Sequence, residues 1–321
     1  MKSNFWNTLS VPFLVLAPME DVTDFVFREI MATLLPRPDV FVTEFTSADG
    51  LNSKGYDETI HRFKFSELQR PIVAQIWGTN PKNMEVAAKI VQSMGFDGID
   101  INMGCPVPAV TKHGAGSGMI RNPKLAKDII DATRNGAPDI ALSVKTRLGF
   151  NTVITDEWIS FLLEQNLDAL TIHGRIATQM STGDADWGEI AKGVKLRDSI
   201  SPDTVIIGNG DILSYNQAVD AHKSSGVAGI MIGRGIFHNP WVFEKTLTPL
   251  PHSKEEYIAV LKAHLKLFTE TWVDRKNFPV MKKFFKMYIK GFNGANELRQ
   301  QLMESRTPTE VEEILNNFSI Q

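Results

Sequence analysis

Residues Gly98-Ile99-Asp100-Ile101-Asn102-Met103-Gly104-Cys105-Pro106 carry the pattern from which the fold can be read. Ile99, Ile101 and Met103 alternate with Asp100 and Asn102, which is the two-residue period of a β-strand, and a glycine and a proline then end the run. The apolar set can pack beneath a covering layer of helices. The polar set must then point the other way, into an interior that satisfies it.

Similar runs recur on both sides of this strand. Strands are expected at Phe13–Pro18, Val40–Phe45, Ile72–Gly78, Gly98–Gly104, Ala141–Arg147, Ala169–Gly174, Val205–Asp211 and Gly229–Gly235, with starts 24 to 43 residues apart. The segments between them have helix grammar. Asn80-Pro81 opens a run with Val86, Ala87, Ile90, Val91 and Met94 on one face, closed by Gly95. Leu125 to Thr133 follows Asn122-Pro123 in the same way, and Asp156 to Asn166 carries Trp158, Ile159, Leu162 and Leu163. Strands alternating with helices imply parallel pairing and right-handed crossovers. Eight such units close a (β/α)8 barrel of the TIM type.

A doubly wound open sheet is the rival. It calls for fewer strands and a dinucleotide fingerprint, and here Gly114-Ala115-Gly116-Ser117-Gly118 and Gly233-Arg234-Gly235 both lack the third glycine in place. Gly188 to Gly193 has the glycine spacing of a phosphate-binding loop, but Val194 stands where a lysine is required. From His252 onward the pattern is helical only: Tyr257 to Trp272, Pro279 to Lys290, Asn296 to Met303 and Pro308 to Phe318. The expected division is a barrel over residues 1–248 and a helical bundle over 249–321, with Pro249–Ser253 as the linker.

Composition narrows the function classes. The chain of 321 residues is 43% hydrophobic and 22% charged, with net charge −3, so any nucleic-acid surface must be a local patch. Cys105 is the only cysteine, which excludes an intramolecular disulfide and a cysteine-rich metal or iron–sulfur site. No apolar run approaches the ~20 residues needed to span a bilayer. The N-terminal apolar piece, broken by Pro12 and Pro18, reads as a first strand rather than a signal peptide. A soluble cytoplasmic protein is expected, with no metal and no protein partner implied.

In such a barrel, chemistry sits at the carboxyl ends of the strands, and polar residues accumulate there: Met19-Glu20-Asp21, Gln75, Asp100 with Asn102, Lys145 with Arg147, His173 with Arg175, Asn209-Gly210-Asp211, and Gly233-Arg234-Gly235. Lys145 and Arg147 share an inward face, and buried cations need partners. Either an anionic or electron-rich ligand meets them, or Lys145 pairs with Asp100 inside the barrel. The glycines of the last two strands, with Arg234, suit a phosphate, although ordinary βα turns read the same way.

The set A-P-M-E-D (17–21), D-I-N-M-G-C-P (100–106), K-x-R (145–147), H-G-R (173–175), N-G-D (209–211) and G-R-G (233–235) resembles the flavin-dependent tRNA-dihydrouridine synthases of bacterial type. The resemblance runs from about residue 13 to 240, and the helical remainder lies where that family carries an RNA-contacting domain. It implies FMN as cofactor, NADPH as electron donor, tRNA as partner, and reduction of the C5=C6 bond of a uridine. By the same match, FMN would be held by Pro18, Met19, Glu20, Gln75, Lys145, His173, Asn209, Gly210, Asp211, Gly233 and Arg234. Cys105 would donate the proton, Asn102 and Arg147 would face the uracil, and Arg175 would serve the flavin phosphate or the substrate. After H-G-R the chain reads Ile176-Ala-Thr-Gln-Met-Ser-Thr-Gly183, where relatives often have a T-x-x-Q-x-Y-like stretch, so this loop has no tyrosine.

A base must leave the stack to be reduced, which calls for a basic surface beside the mouth. Arg275 to Lys290 holds six basic residues and no acid, and Lys282, Lys283 and Lys286 at helical spacing are the expected tRNA contacts, with Phe284, Phe285 and Tyr288 interleaved. Two alternatives remain: an FMN-barrel reductase of a free pyrimidine or small enone, with the bundle as a dimer interface, and a flavin-free RNA-binding barrel.

Overall fold

A computed structural model describes residues 4–249, 251–273 and 275–319. Among the described residues nine strands run in chain order: β1 Phe13–Leu16, β2 Phe41–Val42, β3 Thr46–Ser47, β4 Ile72–Trp77, β5 Gly98–Met103, β6 Ala141–Arg147, β7 Ala169–His173, β8 Val205–Asn209 and β9 Gly229–Ile232. All pair in parallel in the order β1-β9-β8-β7-β6-β5-β4-β2, with β3 also on β4. A Val15–Val40 bridge closes the ring. The eight expected strand positions are present, and the (β/α)8 barrel is the architecture.

The second position is split. Thr43 Oγ1 accepts the amide of Gln75 at 3.1 Å, so a side chain replaces a ladder carbonyl. Glu44 then turns its carboxylate to the amide of Asp21 at 2.7 Å. β2 and β3 flank this interruption.

The barrel interior is filled at its lower end by Phe13, Val15, Val40, Val42, Val73, Ala141, Ala169, Val205 and Ile207. The turn Phe5–Thr8 caps that end, with Trp6 against Phe13 at 5.9 Å between ring centroids. With the lower half apolar, the polar inward side chains are confined to the mouth. Register sets their rows: Asn102 lies beside Lys145, Arg147 beside His173, and His173 beside Asn209.

The C-terminal helices span Lys254–Thr271, Lys282–Tyr288, Ala295–Glu304 and Pro308–Ser319. A capping box between Ser253 and Glu256 starts the first; of the linker Pro249–Ser253, Leu250 lies outside the described residues. These helices share one continuous apolar core with the outer face of the barrel. Phe27, on the barrel's first helix Phe25–Thr33, stacks on Phe284 at 5.3 Å. The basic helix is shorter than its spacing suggests: it ends at Tyr288, which leaves Lys290 beyond it. No helix among the described residues is long and apolar enough to cross a membrane.

Candidate active site

A cavity of about 470 Å³ opens at the carboxyl ends of β1 and of β6 to β9. Pro18, Met19, Lys145, His173, Arg175, Asn209, Gly210, Asp211, Gly233 and Arg234 line it, all of them expected from the sequence. Its lining combines the cations Lys145, Arg175 and Arg234 with the apolar Ala17, Met19 and Met231. Lys145 does not pair with Asp100: Nζ donates to Asn209 Oδ1 at 3.1 Å, and Asn209 Nδ2 donates to the Met231 carbonyl at 2.8 Å. Burial, then the nearby Arg147 guanidinium, pull the Lys145 ammonium down to about 8.

Asp100 instead accepts from Gln75 Nε2 and Ser143 Oγ, each at 2.7 Å. Its carboxyl is pushed up to about 6 by burial, against the pull of these hydrogen bonds and of Lys145. Gln75 passes the network on, its Oε1 accepting from Asn102 Nδ2 at 2.9 Å. Both ends of the Gln75 amide are thereby used, and Gln75 is fully buried beneath the cavity rather than on its wall.

Asn102 Oδ1 accepts the amides of Gly104 at 3.1 Å and Cys105 at 2.8 Å. The side chain therefore anchors the turn that presents Cys105. The thiol is half-buried, and its pKa is raised by burial, with the Arg147 and Lys145 charges opposing. Arg147 donates Nε to the Gly104 carbonyl at 2.8 Å and Nη1 to the carbonyls of Ile176 at 3.1 Å and Met180 at 2.9 Å. One guanidinium thus ties the Cys105 turn to the loop after β7.

His173 is held neutral, far below the usual imidazole range, by burial and by the cations around it, Lys145 foremost. Arg175 Nη1 lies 3.1 Å from His173 Nε2. A guanidinium only donates, so Nε2 accepts and Nδ1 carries the proton. Arg175 also forms an ion pair with Asp211 at 2.6 Å and binds the Thr182 and Gly183 carbonyls. Arg234, 3.3 Å from Asp211 and more than half exposed, is the more available cation. Gly210 has φ +137°, and a Cβ there would stand 2.4 Å from Ala185 Cβ.

A family model described as dihydrouridine synthase matches residues 15–321. The chain belongs to this family. A "Probable tRNA-dihydrouridine synthase" of Staphylococcus epidermidis is 44% identical over 324 residues, covering 99% of this chain and 97% of that protein. A protein of the same name from Staphylococcus aureus is 43% identical over 325 residues, covering 100% and 97%. "Probable tRNA-dihydrouridine synthase 2" of Bacillus subtilis is 44% identical over 321 residues, covering 99% and 97%.

In this dihydrouridine synthase the remaining expected residues lie apart from the cavity wall. Glu20 forms a two-point ion pair with Arg62, at 2.7 and 2.8 Å. With Asp21 and Glu44 it brings three carboxylates within 4.8 Å of one another, faced by Arg62 and Lys276. Lys282 Nζ donates to the Met303 carbonyl and Lys283 Nζ to that of Asp21, at 2.7 and 2.8 Å, while Lys286 is exposed. Phe284, Phe285 and Tyr288 are buried core, not surface rings. Sequence reasoning missed Ser143, whose hydroxyl role depends on register with Asp100, and Ser181 on the cavity wall. It also missed Met180, whose positive φ of 54° leaves no mark in residue type.

Proposed function

We propose that this protein is an FMN-dependent tRNA-dihydrouridine synthase that reduces the C5=C6 bond of a uridine in tRNA, with NADPH as electron donor. The observation that carries the reading is a single thiol held on a fixed turn at the mouth. Asn102 grips that turn from below and Arg147 from the side. The names of the relatives from Staphylococcus and Bacillus point the same way.

The residues present fit FMN. A Cβ at Gly233 would come to 3.4 Å from Ala17 and 3.6 Å from the Met19 sulfur, so glycine keeps the cradle open to a ligand. Gly233, Arg234 and Gly210 would hold the phosphate end, and Lys145, His173 and Asn209 the ring. Bound there, FMN supplies a hydride for C6 of the uracil. The Lys145 ammonium lies where positive charge favours an electron-rich ring. Cys105 supplies the proton for C5: its thiol, raised by burial, stays protonated at neutral pH and serves as a general acid. Arg147 would supply positive charge beside the Cys105 turn.

The test is Cys105→Ala. The variant is expected to bind FMN and to be reduced by NADPH, yet to leave unmodified tRNA unchanged in a single-turnover assay read by mass spectrometry. Near-wild-type dihydrouridine would remove the acid role. Turnover of a free pyrimidine or enone, with no binding of tRNA, would replace the substrate class.

A further inference from the structure

Gly114-Ala115-Gly116-Ser117-Gly118, which fails as a dinucleotide fingerprint, holds a place in the fold that the proposed reaction does not yet use. The chain leaves β5, turns at Gly104 and Cys105, makes a short helix over Pro108–Thr111 and comes back against its own start. There the Ser117 amide donates to the Cys105 carbonyl at 3.0 Å. Gly116, buried and with φ +55°, lies directly on the Cys105 turn. A Cβ built on it would stand 2.6 Å from the Cys105 carbonyl oxygen, 3.2 Å from Cys105 Cβ and 3.0 Å from Val110 Cγ1. The nearest of these is backbone, so no side-chain rotation relieves it.

The positive φ is not what singles Gly116 out. Gly114 has φ +80°, and a Cβ there would meet nothing nearer than Thr79 Cγ2 at 4.0 Å. Both positions favour glycine for backbone reasons, and of the two only Gly116 touches Cys105. The turn it touches has little freedom. Asn102 holds the amides of Gly104 and Cys105, Arg147 holds the Gly104 carbonyl, and Ser117 holds the carbonyl of Cys105. A carbon added at Gly116 can be relieved in two ways. Either the returning chain withdraws and takes the Ser117 amide with it, or Cys105 shifts together with its Cβ, the atom that carries the sulfur. The first frees the Cys105 carbonyl, and the second moves the attachment of the thiol. Each changes how the sulfur stands to the Val107 amide, which lies near enough to favour the thiolate.

We propose that Gly116 is a positioning residue for Cys105: the space left by its missing side chain seats the Cys105 carbonyl and Cβ, and so fixes where the thiol stands at the mouth. The inference rests on the dihydrouridine reading for what the thiol does, and on the contacts of Gly116 alone for where the thiol is put.

The experiment uses the full-length, flavin-loaded enzyme and its variants Gly116→Ala and Gly114→Ala. Single-turnover dihydrouridine formation in unmodified tRNA is read by mass spectrometry, beside flavin content and the rate of flavin reduction by NADPH. The pH profile of alkylation by iodoacetamide is read as well, and it reports on Cys105 alone because the chain has no other cysteine. Gly116→Ala is expected to lose roughly ten- to a hundredfold in single-turnover rate, the scale of misplacing one catalytic group, with flavin content and reduction unchanged. Its alkylation midpoint is expected to move by roughly half a unit or more, because the donors around the sulfur change. Gly114→Ala, which meets the same backbone strain without the contact, is expected to match the wild type in both readouts. Val110→Ala in the Gly116→Ala background relieves the contact with Val110 and leaves those with Cys105, so the double variant is expected to stay defective; it carries the test if the single variant does not fold. Wild-type rate and alkylation in Gly116→Ala would overturn the proposal. So would an equal loss in Gly114→Ala, which would assign the effect to the loop backbone, or recovery in the double variant, which would assign it to Val110. A wild-type enzyme that forms no dihydrouridine would remove the reading beneath the proposal, while the alkylation profiles would still decide whether Gly116 places the thiol.

Discussion

Replacing Lys276 by methionine tests how the helical region is held to the barrel. Lys276 Nζ lies 3.0 Å from Asp24 Oδ2 and 3.6 Å from Glu44 Oε2, and the three side chains are only 10%, 8% and 1% exposed. Removing one partner of a buried ion pair costs about 3–5 kcal/mol when the remaining charge has no other support. Here support remains: Arg62 stands 3.8 Å from Glu44, the Asp21 amide bonds Glu44, and the Phe27 amide bonds Asp24 Oδ1. A loss of about 2–3 kcal/mol is therefore expected near neutral pH. The loss has a pH signature. Burial raises the Glu44 carboxyl, and Lys276 is the largest influence pulling it back. A carboxyl whose folded pKa lies above its unfolded one stabilises the native state below the unfolded pKa. That contribution fades as pH rises through the folded pKa. Without Lys276 the folded pKa climbs further, so the deficit against wild type should be smallest near about pH 5 and grow toward about pH 8. Urea unfolding of both proteins across that range measures it, and Glu44→Gln in the Lys276→Met background should recover more than half of the loss. A deficit below about 0.5 kcal/mol at the alkaline end, or one that does not change with pH, would refute the reasoning.

Lys286→Glu, at the exposed member of the basic helix, should weaken tRNA binding at low salt and leave FMN content and melting unchanged; equal affinity in a filter-binding titration would discard that surface. Asp100→Asn removes a carboxyl pushed up to about 6 by burial. A group raised in this way stabilises the fold below its unfolded pKa and loses that contribution as pH rises through about 6, so the variant should gain on wild type by on the order of 2–3 kcal/mol between about pH 4 and pH 7 in denaturant midpoints. Asn102→Ala frees the Gly104 and Cys105 amides. Dihydrouridine formation in a single turnover should fall roughly ten- to a hundredfold with flavin reduction intact, which is the scale of misplacing one catalytic group.

Strand positions were legible because their signal is local. The apolar alternation of β5 and the Gly104 and Pro106 that follow it need no distant information. The break between β2 and β3 was not legible. Val40-Phe41-Val42-Thr43-Glu44-Phe45 reads as one strand, but the ladder stops after Val42, where the Gln75 amide turns to the Thr43 hydroxyl, and resumes only at Thr46, past the expected end. The site divides along the same line. Residue type placed Lys145, His173, Asn209 and Gly233 at the mouth, but type does not separate an amide that meets a ligand from one that anchors a turn. For Asn102 a usable signal existed in Asn-x-Gly-Cys-Pro, where the side chain reaches amides two and three residues on before a proline removes the next donor. No such signal existed for the basic stretch. Lys276 and Lys283 meet oxygens 252 and 262 residues earlier in the chain, and helical spacing tells which side chains share a face but not what that face meets.

Arg147 and Arg175 show why the partners of an arginine at the mouth matter more than its position. Arg175 binds Asp211, so its charge is largely cancelled where it stands. The bonds of Arg147 run to three carbonyls and none to a carboxylate, so it fixes two turns and still carries a net positive charge beside Cys105. That distinction bears directly on the thiol. Burial raises its pKa and keeps the proton on sulfur at rest, whereas the thiolate left after donation needs a cation close by to be tolerated in the same half-buried place. Arg147 meets the second condition because its hydrogen bonds are to neutral oxygens, and burial outweighs it on the first. An acid placed beside Arg147 would cancel this field without touching the sulfur.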